Sequence, residues 1–512
     1  MCASFSEYGR RTIYTDSMEI FHRAADLINL DHRTRLEMEE PDYEHIFYVS
    51  LKLRDRLVPL PDNEKEQFHD LPISIFRNAE SLERLADGAL ILKDCALLGS
   101  NVTIRQGKIR LTDGTLYRFI PGMTKRFKAY RVQHNQARGP YRGGVRYHKD
   151  ASLDLFKCLA AQMSWQSAIV NVPLGGAQGG IKIEPRAYAR EELDELTQRY
   201  MYRLKNLVGP NFDILAPEVG TDAKTMAILL RQYCWGEREH HKMRGAVTGK
   251  ELSIGGAELP SQQACALGLF WCIDEWMRER GESVRGKTFT LQGFGRLGST
   301  LAILLAQNGC RPVAICDEGG AIFNPNGIDL DALTRHVFHN KNNLRRTVKG
   351  FSEAEAISPK DFVDVEADIF IPAALENQLT HEVAGRLKVR LVAEGACSPT
   401  TSEADEILRA RKIDVIPDLI GSAGAVTLGY YEWLQNARME HWSANEVARR
   451  LEKTMRGSYR IVRDIAKNRP TRSDSHDSRP YCLGQELDMR LAAMVLALNR
   501  IRSHYTLDDF AI

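Results

Sequence analysis

The residues that could do chemistry sit in two glycine-rich constellations. The first is Gly293-Phe294-Gly295-Arg296-Leu297-Gly298, a GxGxxG turn that follows one short apolar run and opens an apolar helical pattern. In that setting the first glycine permits a tight turn, the second lets the backbone approach a pyrophosphate, and the third lets helix and strand pack closely. The helix N-terminus then faces the phosphates. Asp317 closes the next apolar run, nineteen residues beyond Gly298. An acid there hydrogen-bonds a ribose 2′-hydroxyl and disfavours a 2′-phosphate, which points to NAD. The competing reading is a glycine turn kept only for packing. The second constellation comprises the segments 139–148 (GPYRGGVRYH), 173–180 (PLGGAQGG) and 216–221 (APEVGT). Such glycine density lets backbone approach a small ligand or a facing strand, and spacing alone leaves both roles open.

The elements that position these residues are read from periodicity. Met18 to Asn29 has helical spacing, with Ile20, Ala24, Leu27 and Ile28 on one face. His45 to Leu53 reads as a strand, and a strand pair follows at Val102 to Leu111 and Phe127 to Gln133. The stretch 58–115 is otherwise irregular and charged, an insertion within one sheet. Ser152 to Trp165 and Glu191 to Val208 read as amphipathic helices. Beyond residue 245 the pattern changes. Thr288 to Gln292, Arg311 to Cys316, Asp368 to Ile371 and Val389 to Ala393 are short apolar runs with helical segments between them. Alternation of this kind argues for a parallel, doubly wound sheet. Long helices return from Ser443 onward, and Asn468 to Pro480 is polar enough for an exposed loop.

Length and composition set the frame. A chain of 512 residues divides into two or three domains. The 43% hydrophobic and 27% charged content is that of a globular chain with a large core. A net charge of +2 offers no field for nucleic acid or an anionic membrane. The ten cysteines, Cys95, Cys158, Cys265 and Cys316 among them, form no CxxC pair, which argues against a disulfide framework or structural zinc site and for the cytoplasm. No apolar run reaches membrane-span length, and the first residues carry no apolar signal region. His148 and the pair His240-His241 read as solvated or capping, so no metal is expected. Lys182 lies four residues from Gln178, too far along an extended segment to replace it. The runs Arg345-Arg346 and Arg449-Arg450 read as solvated faces.

The ordered series GPYRGGVRYH, PLGGAQGGI, DILAPEVGT, AVTGK, LQGFGRLGS, DIFIPAALENQ, VAEGACSPTT and PDLIGSAGAVTLGYYEWLQN resembles the glutamate/leucine/phenylalanine/valine dehydrogenase superfamily, glutamate dehydrogenase most closely. The resemblance runs from about residue 20 to the C-terminus. It implies a two-domain α/β fold: a substrate and oligomerisation domain over 1–245 with its insertion at 58–115, a Rossmann domain over 246–440, and C-terminal helices over 441–512 that return to the first domain. It also implies a cleft between the domains, usually a hexamer, and reversible oxidative deamination of an amino acid with NAD(P).

The family's chemistry needs a lysine of depressed pKa, an aspartate that shuttles a proton, and, in glutamate dehydrogenases, two lysines that hold carboxylates. This chain departs at all four places. Arg142 stands at one carboxylate-binding lysine and Gln166 at the other; Gln178 replaces the catalytic lysine and Glu218 the aspartate. Arginine still grips a carboxylate and Glu218 is still an acid, but an amide is no general base. The nicotinamide side departs too, with Cys397 at an asparagine, Gly429 at a substrate-side serine and Ala264 at a threonine. Gly293, Gly295, Arg296, Gly298 and Asp317 keep the family's nucleotide-binding pattern, and Lys250 matches an interdomain position with a structural reading. The expectation is a glutamate dehydrogenase-like protein of impaired catalysis, acting as a regulatory subunit or ligand sensor. It would bind a small amino acid or 2-oxo acid and, weakly, NAD, as a homo-oligomer or with an active paralogue. The alternative is an active NAD-dependent amino acid dehydrogenase with altered substrate.

Overall fold

The computed structural model describes residues 12–68, 70–76, 82–85, 87–93, 100–340, 343, 345–470 and 483–508. Helix α1 (Ile13–Leu27) starts at Thr12, whose hydroxyl accepts from the Thr15 backbone, and buries Met18, Phe21 and Ala24. The strands that follow build a mixed sheet: β1 (Tyr43–Lys52), β2 (Thr124–Asn135), β3 (Tyr141–His148), β4 (Gly176–Lys182) and β5 (Asp213–Pro217), in the spatial order β1-β2-β4-β3-β5. The pairs β1/β2 and β2/β4 are antiparallel, whereas β4/β3 and β3/β5 are parallel. Helix α2 (Leu153–Ile169) is capped by Ser152, which accepts from Leu155 N, and is buried along most of its length. Arg131 on β2 and Asp213 on β5 are fully buried partners under this sheet, and Gln133 donates to the same carboxylate at 2.8 Å.

The stretch between β1 and β2 corrects the expectation of irregular chain. It forms a separate five-stranded antiparallel sheet from the segments 82–84, 90–92, 56–59, 116–120 and 108–110, with Leu57, Leu90, Leu92, Ile109 and Tyr117 in a core of their own. The strand expected over Val102 to Leu111 is only Lys108–Arg110. Gln106 and Gly107 both have positive φ, and Arg105 and Lys108 exchange backbone hydrogen bonds around them, so the run turns back on itself. Arg56 anchors this unit to Glu192 at 2.9 Å. Cys95 lies outside the described residues, as does most of the polar segment expected to be a loop, from 471 on.

The second half forms a seven-stranded sheet. It contains β6 (Thr288–Gln292), β7 (Arg311–Asp317), β8 (Gly320–Phe323), β9 (Glu355–Ile357), β10 (Ile369–Pro372), β11 (Leu391–Ala393) and β12 (Asp414–Ile416), in the order β9-β8-β7-β6-β10-β11-β12. All pairs from β7 to β12 are parallel, and the β8 and β9 edge is antiparallel. Helix α3 (Ser261–Arg278) precedes the sheet, and α4 (Arg296–Gln307) begins inside the glycine turn. Helices α5 (Gly424–Arg438) and α6 (Ala444–Ala466) pack on α3, and α7 (Met489–Asp508) packs on α1 and α2. The fold is the two-domain α/β arrangement expected.

Candidate functional site

Gln178 sits in the middle of β4, 3% exposed, beside Gly144 of β3 and Glu218 just past β5. A β-carbon on Gly144 would stand 2.6 Å from the Glu218 Cβ and 3.0 Å from Gln178 Nε2, so both side chains lie against that glycine. Gln178 Oε1 accepts from Gly144 N at 2.7 Å. Glu218 is held in a fork by Arg146, Nε to Oε2 at 2.5 Å and Nη2 to Oε1 at 2.9 Å. The remaining Arg146 nitrogen reaches Glu376, which follows β10 on the opposite wall, at 3.1 Å. Burial alone would lower the Arg146 pKa, but Glu218 and then Glu376 outweigh it and hold the guanidinium charged.

Arg142 and Gln166 line the same cleft, of about 520 Å³. Arg142 donates from Nη2 to Thr248 Oγ1 and to the Ala425 carbonyl, both at 3.3 Å. Burial pulls its guanidinium down to about 10, which leaves it charged at neutral pH. Gln166 donates to Ser422 Oγ at 2.7 Å. Gly429 lies directly under the Arg142 guanidinium. Cys397 lines the cleft with Cys265, and burial pushes both thiols up, so they are neutral. Lys250 is fully buried and paired with Glu432 at 2.7 Å, away from the Gln178 corner. Lys182 is exposed at the far end of β4, and His240 and His241 are exposed. Among the described residues, no group of three or more His, Cys, Asp or Glu could hold a metal ion.

The cleft continues to the glycine turn, where Gly295, Arg296 and Leu297 form its wall. Gly293 has φ +101°, open to glycine alone at little cost, and a β-carbon on Gly298 would stand 1.9 Å from the Gly293 carbonyl. Space within 4 Å of a β-carbon on Gly295 is open, and α4 presents its N-terminus there. Asp317 ends β7 with one carboxylate oxygen on Gly319 N and the other on Val348 N, each at 2.8 Å. Burial nonetheless raises its pKa. These residues fit a dinucleotide: an open cradle, a helix N-terminus and a carboxylate whose oxygens keep further lone pairs. Arg296 reaches across to the Thr221 carbonyl at 3.0 Å rather than into the cradle.

Sequence reasoning brought Arg142, Gln166, Gln178, Glu218, Arg296, Cys397 and Gly295 to one cleft, and the structure lines it with those residues. It missed Arg146 and Glu376. Both stand inside motifs that were read for other residues, and their pairing joins positions 230 apart in sequence.

The family model described as Glutamate/Leucine/Phenylalanine/Valine dehydrogenase matches residues 255–507, and that of the Glu/Leu/Phe/Val dehydrogenase dimerisation domain matches 118–235. Glutamate dehydrogenase of Thermotoga maritima is 35% identical over 439 residues, covering 85% of this chain and 97% of that protein. NAD-specific glutamate dehydrogenase of Staphylococcus aureus is 35% identical over 392 residues, covering 77% and 87%. Among solved structures, the hetero-hexameric glutamate dehydrogenase of Thermus thermophilus in its Leu-bound form superposes with a TM-score of 0.76 at 24% identity, over 99% of each chain. The chain belongs to the glutamate/leucine/phenylalanine/valine dehydrogenase family.

Proposed function

We propose that this chain is a glutamate dehydrogenase-like subunit of amino acid metabolism whose own turnover is impaired, acting by binding a small amino acid or 2-oxo acid. The observation that carries this reading is the state of the two side chains packed against Gly144. The Gln178 amide is tied to the Gly144 N–H, and the Glu218 carboxylate is forked by Arg146. Neither is a free base, because an amide does not take a proton near neutrality and a forked carboxylate holds its guanidinium instead. Loss of a positioned general base costs about 10²–10⁴ in rate.

Dinucleotide binding is proposed at Gly293, Gly295, Gly298 and Asp317, with NAD preferred and held weakly, since Arg296 is engaged by Thr221. Assembly is proposed as a homo-oligomer or a mixed oligomer with an active relative. In its support, β1 is an edge strand with Tyr43, Ile46 and Tyr48 exposed, and a similar protein from Thermus thermophilus is a hetero-hexamer. No helix among the described residues is long and apolar enough to cross a membrane; a cytoplasmic location is part of the proposal. The second reading, an active dehydrogenase of altered substrate, is favoured by the open nucleotide cradle at Gly295. Purified protein from a host without its own glutamate dehydrogenase, assayed against a panel of amino acids and 2-oxo acids, separates the two. Impairment predicts no turnover above background with any of them.

A further inference from the structure

Two buried polar atoms in the cleft have no hydrogen-bond partner among the described residues, and they are of opposite polarity. One is Arg142 Nε, a donor on a side chain 5% exposed. No described carboxylate is within ion-pair distance of that guanidinium. Glu432, the acid whose charge acts on it, is already taken by Lys250 Nζ at 2.7 Å and Gly249 N at 2.9 Å. A buried cation without a counter-ion is costly, so the position favours an incoming anion.

The other atom is Gln166 Oε1, an acceptor on a fully buried side chain. The orientation of this amide is fixed by its neighbours. Gln166 Nε2 faces the Asp418 carbonyl at 3.4 Å, which can only accept. It also faces Ser422 Oγ, whose hydrogen is spent on that same carbonyl at 2.7 Å. Turning the amide over would lose both bonds. Oε1 therefore remains an acceptor in want of an N–H or O–H.

Both groups line the same cleft. Arg142 bonds the Ala425 carbonyl in the first turn of α5, and Gln166 bonds Ser422 Oγ just before that helix, three residues away along the chain. Gly429, one turn further on, sets the arginine in place. A β-carbon there would lie 2.0 Å from Arg142 Nη2 and 2.3 Å from Cζ. Any larger residue displaces the guanidinium.

Resting on the ligand-binding reading above, we propose that the cleft is built for a small ligand with a single carboxylate and, a few atoms away, an N–H donor. The carboxylate pairs with Arg142 and the N–H donates to Gln166 Oε1. Gly429 determines this specificity by keeping Arg142 flat against α5. A second carboxylate at the Gln166 end would meet an acceptor oxygen and no cation. A monocarboxylic amino acid or amide fits where a dicarboxylate does not.

The test is calorimetry on the full-length protein, with and without saturating NAD, using L-glutamine, L-glutamate and 2-oxoglutarate as probes. Glutamine and glutamate differ by one amide for one carboxylate. Glutamine should bind about tenfold or more tighter than either dicarboxylate, the scale of leaving a buried polar group unpaired. Gln166→Lys should reverse the order. Gly429→Ser should weaken glutamine binding at least about tenfold, and Arg142→Lys combined with Gly429→Ser should recover part of it, since a lysine stem leaves room for the hydroxymethyl group. Melting curves confirm that each variant is folded. Tighter binding of glutamate, no binding of any probe, or an indifferent Gly429→Ser overturns the proposal. Turnover by the wild-type protein is scored separately: it overturns impaired catalysis and leaves the ligand order to be read on its own.

Discussion

Arg146 grips Glu218 with two nitrogens, at 2.5 and 2.9 Å, where the acid would otherwise face Gln178. The same guanidinium crosses the cleft to Glu376 at 3.1 Å. One arginine thus holds the acid and joins the two walls. Glu376→Gln removes the charge on the far wall only. Hydrogen exchange of the backbone at 293–300 and 218–222 should then speed up, while the fold survives. Arg146→Gln also strands Glu218 and should destabilise the protein by about 2 kcal/mol in urea unfolding. Unchanged exchange in Glu376→Gln would mean that the pair does not hold the walls together.

Lys250 and Glu432 bury a salt bridge at 2.7 Å, with side chains 0% and 2% exposed. Burial alone lowers the Lys250 pKa, and Glu432 restores part of it. Lys250→Met leaves a buried carboxylate whose other contact is Gly249 N. It should cost about 3–5 kcal/mol, and Lys250→Met with Glu432→Leu should cost clearly less. Equal losses in the single and double variants would contradict this account.

Asp418 is buried where Ser398 N, Leu419 N and Arg490 meet its carboxylate. Burial first, and neighbouring Glu394 second, raise its pKa from 3.8 to about 6. Because the folded value is the higher one, the folded chain binds this proton more tightly than the unfolded chain. The contribution to stability is full below the unfolded pKa and is lost as pH rises through about 6. Wild type should lose stability relative to Asp418→Asn as pH rises from 3.8 to about 6, and the difference should level off above that. A difference that stays flat with pH would contradict the assignment.

Much of the fold was legible because its signals are local. The run Thr288 to Gln292, the glycine turn and the helix after it announce themselves within twenty residues. The inserted sheet was not legible, since all of its strands have only three to five residues and the run read as one strand turns at Gln106 and Gly107. In the cleft, residue types at Arg142, Gln166, Gln178 and Glu218 could be read from motifs. What those side chains bond to could not: Arg146 meets partners 72 and 230 positions away. The relation of Arg142 to Gly429 exists only where α5 crosses β3.

Asp317 bears on the nucleotide. Its carboxylate sits at the end of β7, fixed by Gly319 N and Val348 N. NAD should bind tighter than NADP, and Asp317→Ser should bring the two affinities together by weakening NAD and relieving repulsion of a 2′-phosphate. Calorimetry with both nucleotides decides it. NADP binding tighter to wild type would refute the role of Asp317.

The Gln178 and Glu218 corner should not support turnover. Repair of one member should not suffice, because Gln178→Lys would place its ammonium against Glu218, a partner that favours the charged form. Groups acting as a unit recover little singly. The most direct measurement is the rate of NADH formation from L-glutamate by purified wild-type protein and by Gln178→Lys, both made in a host lacking its own glutamate dehydrogenase. Both rates should fall at least about 10²-fold below an ordinary family enzyme assayed alongside. A rate within about tenfold of that enzyme, roughly 1.4 kcal/mol in barrier, for either protein would contradict it.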